Sequence, residues 1–171
     1  MLTIDAQNDE IVLKNIERHQ LKEVLDWYNM SEEYGYATGK DGPVSLDILV
    51  GKYKKIIESE NDFFLGVHYL YDNKLVGIMS GRLSGKLLWI SLLAIACEYR
   101  CRGFGSMSVK LLMGYIKQKR LASKVYLTVA EKNIQGRNFW FKNGFFDLRR
   151  IEDHTMFDGS KYNVIVMEQR I

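Results

Sequence analysis

The order of strand-like and helix-like segments predicts an α/β fold in which helices flank a β-sheet. Residues 87–96 are almost wholly apolar, which is typical of a central strand buried on both faces. Two pairs of β-rich runs are each separated by turn residues, which predicts two hairpins. Helically spaced apolar residues fill the segments between them. With 171 residues and a single proline, the chain is expected to form one domain over residues 1–171.

The first half of the chain is expected to contain a strand, two helices and a hairpin. Leu21, Val24 and Tyr28 recur at helical spacing, and Ser45 precedes a second such run as a plausible N-cap. Asp72 and Asn73 supply turn chemistry between two β-rich runs. The expected elements are a strand at 10–16, a helix at 19–28, a polar loop at 30–44, a helix after Ser45, and strands at 63–71 and 74–83.

The second half is expected to alternate strands and helices before a closing hairpin. Gly144 follows a short helical run and is a typical C-terminal cap residue. Asp158 and Gly159 lie in a turn-forming sequence between the last two β-rich runs. The expected elements are the central strand at 87–96, a helix at 107–120, a strand at 124–130, a helix at 134–143, and a hairpin that pairs 145–157 with 162–169.

Charge is unevenly distributed along the chain. Residues 1–60 contain twelve carboxylates against seven Lys or Arg, whereas residues 100–124 contain seven Lys or Arg and no carboxylate. This asymmetry fits an anionic cofactor and a cationic substrate, and ordinary solvated helix faces are the alternative. Only Cys97 and Cys101 are present, which excludes a disulfide framework, and we expect no metal site. Neither a targeting signal nor a membrane-spanning run is apparent, so we expect a cytoplasmic protein.

Residues 100–106 form a basic, glycine-punctuated turn between the central strand and the next helix. Such a turn directs backbone N–H groups and the positive end of the helix dipole toward one point, which suits a phosphate. Gly103 and Gly105 allow close approach, and Arg100 and Arg102 add positive charge. The turn is neither a dinucleotide fingerprint, because Ser108 stands at the third glycine position, nor a P-loop. The alternative is a simple strand-to-helix turn with surface arginines.

Two motifs give the chain a resemblance to the GNAT superfamily of acyl-CoA-dependent N-acetyltransferases over nearly its whole length. The first is the strand at 93–95 followed by Arg100-x-x-Gly103-x-Gly105, which is similar to the family pattern Arg/Gln-x-x-Gly-x-Gly/Ala. The second is residues 133–145, which are similar to Asn-x-x-Ala-x-x-Leu-Tyr-x-Lys-x-Gly-Phe. Both motifs occur in the family order and spacing, so together they are specific.

The resemblance implies a fold, a cofactor and a binding site. The fold would be a mixed, mostly antiparallel twisted sheet flanked by helices, whose central strand is splayed from its neighbour by a bulge. Acetyl-CoA would lie with its pantetheine along that strand and its pyrophosphate on the basic turn. Asn133 would contact the pantetheine arm, cap the following helix, or do both. The residues implied in cofactor binding are Leu93, Ala94, Ile95, Arg100, Cys101, Arg102, Gly103, Phe104, Gly105, Ser106, Asn133 and Trp140.

The implied chemistry is direct attack of an amine on the acetyl thioester. The backbone N–H of Ile95 is the expected donor to the thioester oxygen. The amine must lose a proton first, yet Thr128 stands where many members have a glutamate base, and Trp140 stands where the tyrosine acid is common. Glu131 is the substitute base that we name first, and a water chain is equally plausible. The other candidates are Glu98, Glu32 and Glu33, with a phenol from Tyr34, Tyr36 or Tyr162.

The sequence leaves the acceptor open. The loop that often borders the acceptor site in the family contains Glu32, Glu33, Tyr34 and Tyr36, which we expect to contact substrate. The acidic first third favours a cationic acceptor, such as a polyamine, an aminoglycoside or a peptide amine. We also expect the protein to form a homodimer. The main alternative is a non-catalytic acyl-CoA-binding regulatory module. Nucleic-acid binding is not favoured, because the basic face lacks exposed aromatic residues for stacking.

Overall fold

The computed structural model describes residues 1–30, 43–155 and 161–171. Its strands are β1 (Asp5–Gln7), β2 (Ile11–Asn15), β3 (Asp62–Tyr69), β4 (Lys74–Ser84), β5 (Leu87–Ile95), β6 (Lys124–Ala130), β7 (Phe146–Thr155) and β8 (Lys161–Arg170). Its α-helices are α1 (Leu21–Met30), α2 (Leu46–Glu58), α3 (Phe104–Gln118) and α4 (Ile134–Lys142). These bounds confirm the expected elements to within a few residues at each end.

The strands form one sheet in the spatial order β1-β2-β3-β4-β5-β6-β8-β7. Every neighbouring pair is antiparallel except β5 and β6, which run parallel. The sheet is therefore mixed and mostly antiparallel, as the resemblance implies. β5 lies fifth of the eight strands, so its central place is confirmed.

Each face of the sheet has its own apolar core. On one face, α1 and α2 bury Leu21, Val24, Trp27 and Leu49, and on the other face α3 and α4 bury Phe104, Val109, Leu112 and Trp140. The helices can do this because their apolar residues recur every three or four positions and so form a single stripe. The central strands are consequently packed between two helical layers.

The prediction that β5 is buried on both faces is wrong at one residue, Ser91. Ser91 is exposed in the middle of the strand, whereas Ile90 and Leu92 on either side of it are buried. Ile90 belongs to the core on the α3 and α4 face, and Leu92 belongs to the core on the α1 and α2 face. The alternation of side chains therefore changes phase at Ser91.

Turn and capping residues behave as the sequence predicts. Ser45 precedes α2, and its hydroxyl oxygen accepts the N–H of Ile48 at 3.3 Å. The carboxylate of Asp72 accepts the N–H of Lys74 at 3.2 Å in the turn between β3 and β4. Gly144 follows α4 with φ of +85°, a left-handed conformation that glycine adopts without steric cost.

One strand was not expected, and one expected turn lies outside the described residues. β1 was not expected, because three residues are too few to give a periodic signal. The turn of the last hairpin, at 156–160, lies outside the described residues, although both of its strands are confirmed. Across the described part of the chain, none of the helices has the length and apolar character needed to cross a bilayer.

Candidate active site

The two parallel strands at the centre of the sheet diverge halfway along their length. Residues 87–90 of β5 pair with residues 124–127 of β6, and the pairing stops there. β5 then stays paired with β4 up to Ile95, while β6 stays paired with β8 up to Ala130. The sheet is therefore open between the second halves of β5 and β6, as the splayed strand of the resemblance implies.

A β-bulge lies where the strands separate. Ile90 opposes Gly81 on β4 and Leu92 opposes Ser80, so Ser91 is an extra residue with no partner on β4. A bulge bends its strand and interrupts the regular ladder. The bulge at Ser91 thus explains both the exposed serine and the loss of pairing with β6.

The opening between β5 and β6 is a pocket of about 690 Å³. That volume lies within the range of small-molecule sites in proteins. The pocket extends from the ends of both strands to the first turns of α3 and α4. Its lining residues are Ile90, Ser91, Leu92, Leu93, Ala94, Ile95, Arg100, Gly105, Leu127, Thr128, Val129, Lys132, Asn133, Ile134, Gln135, Gly136, Phe139 and Trp140.

The turn between β5 and α3 has the backbone of an anion cradle. Cys101 has φ of +58° and Gly103 has φ of +89°, so left-handed residues alternate with extended or turn residues before α3 begins at Phe104. Successive N–H groups in such a turn converge, and the first N–H groups of a helix have no partner within the helix. The cradle therefore fits a pyrophosphate, the role that the sequence predicts for residues 101–106.

The two arginines of the turn have different surroundings. Arg100 lines the pocket, and its Nε donates to the carbonyl oxygen of Ile95 at 3.1 Å. Arg102 is exposed, and its guanidinium lies over the rings of Tyr99 and Phe104, 5.3 Å and 5.5 Å from their centroids. The structure thus brings Arg100 to the pocket, whereas Arg102 lies over two aromatic rings.

The backbone of Ile95 faces the opening rather than β4. Ala96, the next residue, donates its N–H to the carbonyl of Val76 on β4 at 2.9 Å. Backbone groups of successive strand residues point to opposite sides, so the N–H of Ile95 points away from β4. The carbonyl of Ile95 also points that way, since it accepts from Arg100. An N–H donor directed into the pocket is the geometry expected for Ile95.

Asn133 begins α4 at the mouth of the pocket. Its side-chain oxygen accepts the N–H of Gly136 at 2.8 Å, so the capping role is confirmed. A Cβ on Gly136 would lie 2.6 Å from the side-chain nitrogen of Asn133, so a larger residue there would make the Asn133 side chain shift. The cap occupies the side-chain oxygen, and contact of the side-chain amide with the cofactor stays a prediction.

Trp140 forms part of the apolar wall. It is only 8% exposed and makes edge-to-face contacts with Phe139 and Phe145, at centroid distances of 5.0 Å and 5.1 Å. Tight aromatic packing of this kind fixes the ring in place. Trp140 lines the pocket, as expected of a cofactor-contacting residue, and at the same time ties α4 to the core.

The pocket is positively charged and contains no described carboxylate. Among the described lining residues the only ionisable side chains are those of Arg100 and Lys132. Basic side chains suit a phosphate-bearing ligand, and the described wall offers neither a carboxylate nor an imidazole as a general base. Thr128, at the position of the common glutamate base, is exposed on β6 and lines the pocket.

Glu131 lies just beyond β6 and is held by other groups. Its carboxylate accepts from Nε and Nη2 of Arg150 at 2.7 Å and 3.0 Å, and from Asn163 at 3.1 Å. These bonds lower the pKa of Glu131, with Arg150 as the main cause. A carboxylate with a lowered pKa is a weaker proton acceptor, so the structure does not favour Glu131 as the base, and this role stays a prediction.

The remaining acidic candidates for proton transfer or substrate contact, and two tyrosines near them, lie in two parts of the chain. Glu32, Glu33, Tyr34 and Tyr36 lie outside the described residues. Glu98 lies in the short helical turn after β5, within electrostatic reach of Glu23 on α1. The pKa of Glu23 is raised, first by burial and then by the charges of Asp26 and Glu98. The turn after β5 therefore faces a negatively charged side of α1.

Several lining residues were not anticipated from the sequence. Lys132 and Gln135 flank Asn133 at the start of α4, and their proximity to the motif asparagine is the signal that could have identified them. Phe139 was expected only to pack in the core. It does pack against the core, and its ring also lies beside Gly105, where a Cβ would come within 3.1 Å of it. Ser91 gave no signal, because the bulge depends on pairing with β4.

Comparisons with known proteins agree with this geometry. The sequence matches the acetyltransferase (GNAT) family over residues 21–145, and no curated protein sequence matches the chain. Its structure is similar to that of a spermidine N-acetyltransferase from Vibrio cholerae in complex with CoA and spermine. The two chains share 19% identity, with a TM-score of 0.82 over 95% of this chain and 96% of that chain.

Two further solved structures share the fold. One is an acetyltransferase from Salmonella typhimurium that modifies the N-terminal serine of ribosomal protein L7/L12, with 12% identity, a TM-score of 0.82 and 96% of each chain covered. The other is a GNAT-family acetyltransferase from Bacillus anthracis, with 12% identity, a TM-score of 0.83 and 98% of each chain covered. Because the family match covers well over half of the sequence, this chain belongs to the acetyltransferase (GNAT) family, whose members transfer an acetyl group from acetyl-CoA to an amine.

Proposed function

We propose that the chain binds acetyl-CoA in the opening between β5 and β6 and acetylates a cationic primary amine by direct attack. The observation that carries the proposal is the combination of diverging parallel strands with an anion cradle at one end of the opening. The edge of β5 beyond its pairing with β6 offers backbone groups to the pantetheine amides, as an added strand would. The cradle at 101–106 offers N–H groups to the pyrophosphate.

The residues divide into groups with distinct roles. Leu93, Ala94 and Ile95 present the strand edge, and Arg100 adds positive charge near the phosphates. Asn133 and Trp140 form the opposite wall. The N–H of Ile95 donates to the thioester oxygen, where negative charge develops as the amine attacks. Acetyl-CoA itself supplies a reactive thioester with a thiolate leaving group, so no covalent enzyme intermediate is needed.

A cationic acceptor is supported by charge and by the structural neighbours. Glu23, Asp26 and Glu98 form a negatively charged group, and the first 60 residues are acidic as a whole. Opposite charge draws a cation to that side of the protein. The Vibrio cholerae neighbour is a spermidine N-acetyltransferase, so polyamines are the first acceptors to test. A peptide N-terminus is the second class, because the Salmonella typhimurium neighbour modifies an N-terminal serine.

The test is release of free CoA thiol from acetyl-CoA in the presence of single amines. Spermidine, spermine, an aminoglycoside, a lysine peptide and a serine N-terminal peptide make up the panel. We expect thiol release that depends on a cationic amine and a product heavier by one acetyl group. Tight binding of acetyl-CoA without amine-dependent release would contradict catalysis and support the acyl-CoA-binding module. Absence of binding would contradict the proposed site itself.

Three expectations from the sequence belong to the same proposal. Glu32, Glu33, Tyr34 and Tyr36 are proposed to contact the acceptor. We also propose a homodimer and a cytoplasmic location. Sedimentation of the purified protein tests the homodimer, and microscopy of the tagged protein tests the cytoplasmic location.

A further inference from the structure

Two hydroxyl-bearing residues stand where β5 and β6 diverge. Ile90 and Leu127 form the last pair between the strands, and Ser91 and Thr128 are the next residues along each strand. Ile90 and Leu127 are buried in the core under α3 and α4. Thr128 lies between Leu127 and Val129, which both belong to that core, so its side chain projects from the other face of the sheet. Ser91 is the extra residue of the bulge, and it borders the same opening beside Thr128. Both are exposed, and both line the pocket.

The reaction needs a route for one proton at this point. An acceptor with an amine pKa of about 10.4 arrives mostly as an ammonium ion, which has no lone pair for attack. In the part of the pocket wall that the structure describes, Arg100 and Lys132 are the only ionisable side chains, and neither is a carboxylate or an imidazole. Glu131 lies outside that wall and is held by Arg150 and Asn163.

We propose that the hydroxyls of Ser91 and Thr128 hold a water molecule that receives the proton of the acceptor ammonium and passes it to solvent. A hydroxyl group both donates and accepts hydrogen bonds, so two of them can orient a water without titrating themselves. Ser91 is placed for this role because it is exposed at the bulge and lines the pocket. Both residues position the water, and the water touches the substrate. The inference rests on the proposed function.

The step balances in atoms and charge. An N–H bond of the ammonium breaks, its proton goes to the water, and its electron pair becomes the nucleophile. A C–N bond to the acetyl carbon then forms and the C–S bond breaks. The sulfur of CoA leaves as a thiolate and takes a proton from solvent, since a thiol has a pKa of about 8.5. The amine nitrogen loses a second proton as the neutral amide forms. Together the ammonium and the thioester yield an amide, a thiol and one released proton.

The test compares steady-state rates with acetyl-CoA binding in variants that remove the hydroxyls. The double variant Ser91→Ala with Thr128→Val should lower kcat about 10- to 100-fold at neutral pH, within the range of a positioned proton acceptor or somewhat below it. Its Kd for acetyl-CoA, measured by calorimetry, should stay within about twofold of wild type. Thr128→Ser alone keeps the hydroxyl and should keep most of the rate. Ser84→Ala and Thr155→Val remove exposed strand hydroxyls outside the pocket and serve as matched controls.

Introducing a carboxylate at position 128 distinguishes proton transfer from a purely structural role, because only proton transfer would change the pH dependence of kcat. Thr128→Glu in the Ser91→Ala background should recover rate and add an acid limb to the pH profile, as the new carboxyl protonates below a pKa near 4.3 or somewhat above it. An unchanged kcat in the double variant would overturn the inference. A fall in kcat matched by a fall in acetyl-CoA affinity would also overturn it, because the hydroxyls would then be supporting the pocket. Failure of wild-type turnover or binding would instead contradict the proposed function.

Discussion

The two helices that border the site approach each other closely at Gly105 on α3 and Phe139 on α4. A Cβ at Gly105 would lie 3.1 Å and 3.2 Å from two ring carbons of Phe139, and 3.7 Å from Cγ1 of Ile95. Contacts below about 3.4 Å force a neighbour to shift, and here the neighbours are the walls of the pocket. Gly105 is therefore needed for space, whereas Gly103 is needed for its positive φ.

We expect Gly105→Val to weaken acetyl-CoA binding by about tenfold or more, which is about 1.4 kcal/mol, because Phe139 must move into the space of the ligand. Calorimetric titration with acetyl-CoA measures the effect. Gly114→Ala is the matched control in the same helix, since a Cβ there meets nothing within 4 Å. The control should bind normally and be more stable by about 0.5–1 kcal/mol. Equal affinity of both variants would contradict the placement of the ligand beside Gly105.

His68 is a buried residue whose titration affects stability rather than catalysis. It is 2% exposed, and its Nε2 lies 2.8 Å from the side-chain nitrogen of Gln20. The side-chain oxygen of Gln20 accepts the N–H of Glu17, so Gln20 donates and the Nε2 of His68 accepts. Protonated His68 would place two donors face to face. Burial and then the charge of Lys14 lower the pKa of His68 to about 4.

This pKa predicts the direction of a pH effect. The unfolded chain binds the proton with a pKa of about 6.5, so between pH 6.5 and 4 it holds more protons than the folded protein. Stability contributed by neutral His68 is thus complete above pH 6.5 and is lost as the pH falls, by at most about 1.4 kcal/mol per pH unit. Urea unfolding at several pH values should show this slope for wild type and a flatter one for His68→Phe. The exposed His154→Gln should keep the wild-type slope, and an equal slope in all three proteins would contradict the assignment.

At the scale of elements, the start of α4 combines a structural and a ligand-facing role. Asn133 caps the helix through its side-chain oxygen and lines the pocket with the neighbouring Lys132 and Gln135. The helix packs against the core mainly through Trp140. A distortion of the first turn of α4 would therefore displace both the pocket wall and the charged side chain of Lys132.

Substitutions at Asn133 separate these two roles. Asn133→Ala removes the cap and should cost about 1 kcal/mol of unfolding free energy. Asn133→Ser keeps a capping oxygen, so it should retain nearly all of the stability. We expect both variants to bind acetyl-CoA more weakly than wild type, because each lacks the side-chain amide donor. Normal affinity in the stable serine variant would show that Asn133 acts only as a cap.

Element by element, the sequence is informative where the physical cause is local. The apolar run of β5, the Ser45 cap and the Gly144 cap are each determined by neighbouring residues, and their places were predicted correctly. The bulge at Ser91 depends on the register between β5 and β4, and Arg150 reaches Glu131 from β7. Such pairings join distant parts of the chain, so no local pattern reveals them. The motif residues of the cofactor site were anticipated through the family resemblance, whereas Lys132, Gln135 and Phe139 lie outside what it implied.

At the scale of the whole molecule, one sheet separates two environments. The α3 and α4 side presents the anion cradle and the cationic residues Arg100 and Lys132. The α1 side carries the carboxylates Glu23 and Asp26. Residues of both cores line the opening between β5 and β6, so the proposed cationic acceptor would approach acetyl-CoA from the opposite side. A small net charge of +3 is therefore compatible with binding of an anionic donor and the proposed cationic acceptor.

The account depends on acetyl-CoA lying in the opening between β5 and β6. Amide hydrogen exchange with and without saturating CoA tests this most directly, because bound ligand slows exchange at the backbone groups that it contacts. We expect slower exchange in peptides covering 92–106 and 132–140, and little change in 146–155 and 161–170. Protection confined to the last hairpin, or no protection at 92–106 under saturation, would contradict the central claim.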